Sequence, residues 1–256
     1  MQLMAHRGYS SQAPENTLAA FKQAIDFGCQ WIELDVQLTA DQVPVVMHDK
    51  TLERCTDGAG QLTELTFSEL TRYSAGNWFG PEFRDETVPS LAATLQLAKQ
   101  HSVNLNIELK IYPGDDETLL CQRVAAVIDA AGIAKDQLLF SSFSVTALAV
   151  MQHIMPEIRR GLLWETMPVD AFEILENLDA FSVHCHYRYL DEQQAAAIKQ
   201  RGYALYCYTP NQPLEVEAHW RWGVDMMITD KPHCYVIEET VSQDAISKDA
   251  ISRNES

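Results

Sequence analysis

The chain has 256 residues, 46% of them hydrophobic and 21% charged, which is the composition of a folded globular protein of one large domain or two small ones. Nineteen Lys and Arg against 36 Asp and Glu leave a formal charge of −17, and no three basic residues stand in a row. So acidic a chain repels nucleic acid and anionic membrane, which excludes both as partners. No stretch approaches the ~20 apolar residues of a bilayer span, and MQLMAHRGYS carries no secretory-signal pattern. Cys29, Cys55, Cys121, Cys185, Cys207 and Cys234 form no Cys-x-x-Cys pair. They read as buried free thiols of a cytoplasmic protein, a monomer or homodimer.

Short apolar runs alternate with longer amphipathic ones. A strand is predicted at Leu3–Ala5, then a helix in TLAAFKQAIDFG, capped by Asn16 or Thr17 and ended by Gly28. Strands follow at Trp31–Leu38 and Val43–Met47. A helix begins near Ser90, a strand spans Asn104–Leu109, and a helix through LLCQRVAAVIDAAG ends at Gly132. Gln137–Phe140 leads into the helix VTALAVMQHI. Arg159–Leu163 precedes a helix within Val169–Asn177, and Phe181–Val183 precedes DEQQAAAIKQRG. Tyr203–Tyr208, the helix LEVEAHWRWG and the strand Val224–Ile228 complete the series. About eight βα units in ~250 residues fit a closed TIM (β/α)8 barrel. The competing doubly wound sheet would carry a Gly-rich phosphate loop after its first strand, where this chain has HRGYSSQAPENT. Residues 50–89, with turn clusters TDGAG and SAGNWFGPEF, interrupt the rhythm and read as a small insertion after the second barrel strand. Residues 1–240 thus form one barrel domain, and 241–256, with Asp-Ala-Ile-Ser twice, a polar flexible tail. The insertion's Trp78, Phe79 and Phe83 read as its own small core.

Barrel enzymes gather function at the C-terminal ends of their strands. There lie His6 and Arg7 after the first strand, Glu33 and Asp35 on one face of the second, His48 and Asp49 after PVV, and Glu108 and Lys110. Glu33, Asp35 and Glu108 are too many buried carboxylates to stand unpaired, so either a cation or the salt-bridge partners Arg7 and Lys110 must face them. An all-oxygen set favours one divalent metal, Mg2+ or Ca2+. His6 and His48 suit an acid–base pair, oriented by Asp49 and Glu15. Three carboxylates, one divalent ion, Arg7 and Lys110 sum to a single positive charge, which suits a monoanion such as a phosphodiester.

HRG at 6–8, PENT at 14–17, ELDVQLT at 33–39, VVMHD at 45–49, ELK at 108–110 and GVDMMITDKP at 223–232 together resemble the glycerophosphodiester phosphodiesterase family, in order and with similar spacing. The resemblance implies a TIM barrel with an insertion after its second strand. It implies hydrolysis of glycerophosphodiesters to an alcohol and sn-glycerol 3-phosphate, by His acid–base catalysis through a cyclic phosphate. It assigns Glu33, Asp35 and Glu108 to the metal, and His6 and His48 to catalysis. Arg7 and Lys110 fall to phosphate binding, and Glu15 and Asn16 to a supporting shell. Tyr208, in Tyr-Thr-Pro-Asn, stands where the family often has Trp, and would give an aromatic wall to the substrate site. His6 is expected as the base and His48 as the acid. Two other readings compete: a zinc amidohydrolase using His184 and His186, and a catalytically inactive binding barrel.

Overall fold

In β2 (Trp31–Leu38) every second side chain changes face, and polarity follows. Ile32, Leu34 and Val36 pack outward into a core shared with helices, while Glu33 and Asp35 point into the barrel. The other strands repeat the pattern, which is how a barrel carries a polar lumen inside an apolar shell.

The structure is a computed structural model that describes residues 2–236. β1 (Gln2–Ala5), β2, β4 (Asn104–Leu109), β5 (Leu138–Ser142), β6 (Arg159–Trp164), β7 (Ser182–His186), β8 (Ala204–Tyr208) and β9 (Met226–Thr229) are all parallel. β1 pairs with both β2 and β9, so the eight strands close into the expected TIM barrel. β3 (Pro44–Val46) is an extra strand, antiparallel to β2 and outside the ring. Around the barrel run α1 (Leu18–Phe27), α3 (Leu91–His101), α4 (Glu117–Ala131), α5 (Val145–Ile154), α6 (Ala171–Asn177), α7 (Glu192–Gln200) and α8 (Glu217–Arg221). α1 starts at Thr17, whose side chain accepts from the Ala20 N–H, and stops at left-handed Gly28. The helical periodicity of LEVEAHWRWG is only partly realised. Pro213 opens a 3-10 turn to Val216, and the α-helix itself lasts from Glu217 to Arg221.

β7 runs further than its apolar content predicts. Its inward residues Ser182, His184 and His186 are polar, so the run looks finished at Val183, yet its ladder to β8 continues to His186. The lumen below the mouth is filled by Met4, Leu139, Tyr206, Met226 and Ile228. At its N-terminal end the Arg159 guanidinium lies 4.6 Å over Phe181 and 5.7 Å from Trp31.

Residues between β3 and α3 gather around a separate apolar cluster of Met47, Leu52, Cys55, Leu62, Leu70, Ala75 and Val88, with α2 (Phe67–Leu70) held by a Thr66–Glu69 capping box. Trp78, Phe79 and Phe83 are not in that cluster. They touch edge to face, at 5.6 Å per pair, and Trp78 is exposed. The six cysteines are unpaired and five are buried. No helix among the described residues is long and apolar enough to cross a membrane. The polar tail expected over 241–256 lies outside the described residues.

His184 makes the lumen sensitive to acid. It is wholly buried, shares a 2.9 Å hydrogen bond with Ser182 Oγ, and sits against Gly161, where a Cβ would come within 2.4 Å of its Nε2. Burial pushes its imidazole down to about 3. The unfolded chain takes up that proton near pH ~6.5, so between the two values the unfolded state binds more protons and stability falls as pH falls. Between pH 7.5 and 5.0 this group contributes a loss of about 2 kcal/mol. Urea titrations at both pH values should show that loss in the native chain and less of it in His184→Gln; equal losses in the two proteins would remove His184 as the cause.

Candidate active site

Parallel register sets Asp35 of β2 beside Glu108 of β4, one pleat above Glu33 and Asn106. Glu33, Asp35 and Glu108 are 3%, 1% and 9% exposed, and each offers an oxygen within 4.8 Å of the others. Glu33 Oε1 and Asp35 Oδ1 are buried with no hydrogen-bond partner. Burial pushes the Glu33 carboxyl well up, and the charges of Asp35 and Glu108 push it further. Burial and Asp35 likewise raise Glu108. Asp35 differs. Burial opposes its charge, but Arg7, Lys110 and His48, with an Asn16 hydrogen bond, outweigh it and hold the carboxyl below its ordinary value. Three crowded oxygen donors with unsatisfied lone pairs fit one hard divalent cation, which these residues could hold.

The loop after β1 supplies the counter-charges. Arg7 has φ 56°, and its backbone N–H donates to Glu33 Oε2 at 2.9 Å. Its guanidinium donates to Glu15 at 2.8 Å and lies 3.2 Å from Asp35 Oδ2. Gly8 permits this turn. Its φ is +82°, and a Cβ there would meet Ala20 of α1 at 2.7 Å. Asn16, also left-handed, donates to Asp35 Oδ2 at 2.8 Å and accepts from the Asp35 N–H at 3.3 Å. Lys110 Nζ lies 2.8 Å from Glu108 and 3.6 Å from Asp35.

Each histidine rests on a carboxylate. His6 Nδ1 is 2.7 Å from Asp230 Oδ1, and His48 Nδ1 is 2.7 Å from Asp49 Oδ1. A charged carboxylate requires the proton on Nδ1, so both rings keep Nε2 for chemistry. His6 Nε2 stands 3.9 Å from Glu33. Burial opposes the Asp230 charge, but hydrogen bonds from His6, Asn211 and Ser10 hold its carboxyl well below the usual range. Burial lowers the His48 imidazole; Arg7 and Lys110 add to that, while Asp35 and Asp49 partly offset it. Glu15 bonds neither histidine. Its partners are Arg7 and Arg54.

A cavity of about 320 Å³ opens over the carboxylates. His6, Arg7, His48 and Lys110 line one part, and Phe143, Leu163, His186 and Tyr208 another. Tyr208 packs edge to face on His186 at 5.5 Å and on Phe143 at 6.1 Å, which puts aromatic rings along one side of the cavity. Larger hollows of about 430 and 730 Å³ lie elsewhere on the barrel, but neither includes a histidine or any of the three carboxylates. His184 is buried and bonded to Ser182, and it forms no three-ligand group with His186. Among the described residues, Glu33, Asp35 and Glu108 make the one such group.

Sequence reasoning missed four supporting residues. Asp230 stands 224 positions from His6, and only the closure of β9 on β1 joins them. Asn211 donates to Asp230 Oδ2 at 2.7 Å and accepts from its backbone N–H at 2.9 Å. Gln37, inward on β2, donates to the carbonyls of Met47, His48 and Asp49, fixing the turn that carries the second histidine. Arg54 joins Asp49 to Glu15. The Asn211 and Asp230 signal was present in the Thr-Pro-Asn and Thr-Asp-Lys runs that end β8 and β9, the strand ends where barrel function gathers.

A closed parallel barrel whose mouth joins two carboxylate-anchored histidines, two cations and a carboxylate triad is that of a TIM-barrel enzyme acting on an anionic group. A model described as the glycerophosphoryl diester phosphodiesterase family matches residues 6–234. A glycerophosphodiester phosphodiesterase of Caldanaerobacter subterraneus subsp. tengcongensis is 33% identical over 238 residues, 91% of this chain and 96% of its own. Among solved structures, an Oleispira antarctica phosphodiesterase in complex with the product sn-glycerol-3-phosphate is 37% identical with a TM-score of 0.87, covering 91% of this chain and 94% of that one. A glycerophosphodiester phosphodiesterase from Agrobacterium tumefaciens is 28% identical with a TM-score of 0.77, covering 92% and 98%. The chain belongs to the glycerophosphoryl diester phosphodiesterase family and is a phosphoric diester hydrolase.

Crowding gives a test that needs no substrate. Glu33→Gln removes a charge that burial opposes, while the amide oxygen can still accept from the Arg7 N–H. In chelator, Glu33→Gln should therefore raise the melting temperature by a few degrees, about 1 kcal/mol for a domain of this size. Millimolar Mg2+ or Ca2+ should stabilise the native chain by mass action and the variant far less. A native chain unmoved by both ions would exclude the triad as a divalent site.

Proposed function

We propose that the protein hydrolyses glycerophosphodiesters to an alcohol and sn-glycerol 3-phosphate, using one divalent ion and His6 and His48 as the acid–base pair. The observation that carries this reading is the pairing of two histidines, each anchored through Nδ1 by its own carboxylate, in one cavity that Glu33 and Glu108 of the carboxylate triad also line. The product held by the Oleispira antarctica relative supports the glycerol phosphate half of the substrate. The six unpaired cysteines fit a reducing compartment, the cytoplasm.

Arg7 and Lys110 meet the phosphodiester anion and stay charged, because neighbouring carboxylates outweigh burial: Asp35 and then Glu15 at Arg7, Glu108 and then Asp35 at Lys110. An ion on Glu33, Asp35 and Glu108 would supply further positive charge to the phosphoryl group and the adjacent glycerol hydroxyl. His6 takes the proton of that hydroxyl on Nε2. Asp230, whose other side-chain partners among the described residues are the neutral Ser10 and Asn211, stabilises the imidazolium that forms. His48 protonates the departing alcohol. The substrate's negative charge offsets Arg7 and Lys110, which returns a proton to a ring otherwise held low. Tyr208 flanks the substrate. Internal attack yields a five-membered cyclic phosphate, and its hydrolysis with the histidines in exchanged roles gives sn-glycerol 3-phosphate. Because the attacking hydroxyl is already on the substrate, much of the entropic cost of bringing reactants together is avoided.

His6→Ala and His48→Ala should each lower kcat by roughly 10²–10⁴, with KM moving less. A general acid is lost as pH rises past its pKa, and free His48 is held below the ordinary value. The alkaline fall of kcat/KM should thus begin at lower pH than that of kcat; coincident limbs would argue against substrate-assisted protonation of His48. A diester lacking the glycerol 2-hydroxyl should inhibit competitively yet resist cleavage. Turnover within about tenfold of the parent, a difference worth only ~1.4 kcal/mol, would replace internal attack by attack of water.

A further inference from the structure

We infer that Arg54, from the insertion, is a positioning residue for the reaction: its one guanidinium holds Asp49 against His48 and Glu15 against Arg7. Arg54 Nη2 donates to Asp49 Oδ1 at 2.9 Å, and Nε to Asp49 Oδ2. On its other side Nη1 donates to Glu15 Oε2 at 2.7 Å and Nη2 to Glu15 Oε1 at 2.8 Å. Glu15 Oε1 also accepts from Arg7, and Asp49 Oδ1 also faces His48 Nδ1. A single planar fork therefore sits between the acid imidazole and the guanidinium that meets the phosphate.

Two properties of this contact exceed ordinary surface ion pairing. The first is geometric. Both carboxylates are engaged through both oxygens, an arrangement that a fork allows and a lysine ammonium does not. The second is electrostatic. Glu15 and Asp49 are two negative groups brought to one place from two loops, and without the cation between them they repel. Arg54 is also the first cause of the low Asp49 value, about 2, which keeps that carboxylate charged beneath His48. The backbone of the His48 turn does not depend on Arg54, because Gln37 binds its three carbonyls and Tyr112 donates to the His48 carbonyl. Removing Arg54 should leave the loop folded and free the side chains of Asp49 and Glu15 to swing. The small apolar core of the insertion thereby acquires a catalytic consequence: it carries the residue that aligns two parts of the mouth.

The inference rests on the role proposed for His48, and the test separates the two. Steady-state kinetics on glycerophosphocholine would compare the native chain with Arg54→Gln, Arg54→Lys, Asp49→Asn, the Arg54→Gln/Asp49→Asn double variant and His48→Ala. Melting temperature and Mg2+ or Ca2+ affinity by calorimetry would be measured alongside. Misplacing a reacting group by about 1 Å can cost on the order of 10²-fold, so Arg54→Gln should lower kcat by roughly 10–100-fold with ion affinity unchanged. Arg54→Lys should restore only part of that loss. In the Asp49→Asn background the further loss on adding Arg54→Gln should shrink to a few-fold, because both act through the same imidazole. A normal kcat in Arg54→Gln beside an inactive His48→Ala would overturn the inference alone, as would fully additive losses or a loss that tracks the folded fraction. A fully active His48→Ala would overturn the histidine reading and this inference with it.

Discussion

Three carboxylates converge where the barrel could least accommodate them, in a lumen sealed below by Met4, Leu139, Tyr206, Met226 and Ile228. Uncompensated, such a cluster would cost several kcal/mol per ion. The rest of the mouth is built in response. Arg7 is bent into the left-handed region so that both its N–H and its guanidinium reach the cluster, and Lys110 closes on it from the end of β4. Even so, two carboxylate oxygens keep no hydrogen-bond partner. Buried polar atoms without a partner are costly, and two of them on neighbouring carboxylates mark this cluster as a place where a cation could be held.

The histidines are set by the same logic at one remove. Neither touches the triad within hydrogen-bond distance, yet each is fixed in one tautomer by a carboxylate that other groups hold in place. For Asp230 those groups are the neutral Ser10 and Asn211, whereas for Asp49 they include the cation Arg54. Two imidazoles of identical chemistry thus stand on carboxylates with different surroundings, one held by neutral donors and the other by a guanidinium. Beside this charged part of the mouth, Phe143, Leu163, His186 and Tyr208 present a largely apolar surface. The division matches a substrate with a charged centre and a less polar arm.

Much of the fold could be read along the chain because a parallel barrel repeats one local rule. Strand edges at Trp31, Leu38, Asn104 and Leu109 coincide with the expectation, as does the Gly28 stop of α1, and of the two expected cap residues it is Thr17 that caps the helix. Failures fell where inward residues are polar or where proline intervenes. β7 extends past the predicted Val183, its apolar run interrupted by Ser182, His184 and His186, and the α8 region begins as a 3-10 turn at Pro213. The insertion's aromatics follow a different reason. Composition places Trp78, Phe79 and Phe83 in a core, but the small cluster there is built from other side chains, and the three rings touch one another edge to face.

The sequence by itself determined which residues occupy the strand ends, because alternation is local: Glu33 with Asp35, Glu108 with Lys110, and His48 with Asp49 are two apart or adjacent. Only the tertiary structure decided what holds them. Closure of β9 on β1 brings Asp230 to His6 across 224 positions, and the turn after β8 sends Asn211 to Asp230. The insertion returns Arg54 between Glu15 and Asp49, 39 and 5 positions away. Such partners leave no periodic signature, since a hydrogen bond specifies distance and direction in space and is indifferent to separation along the chain.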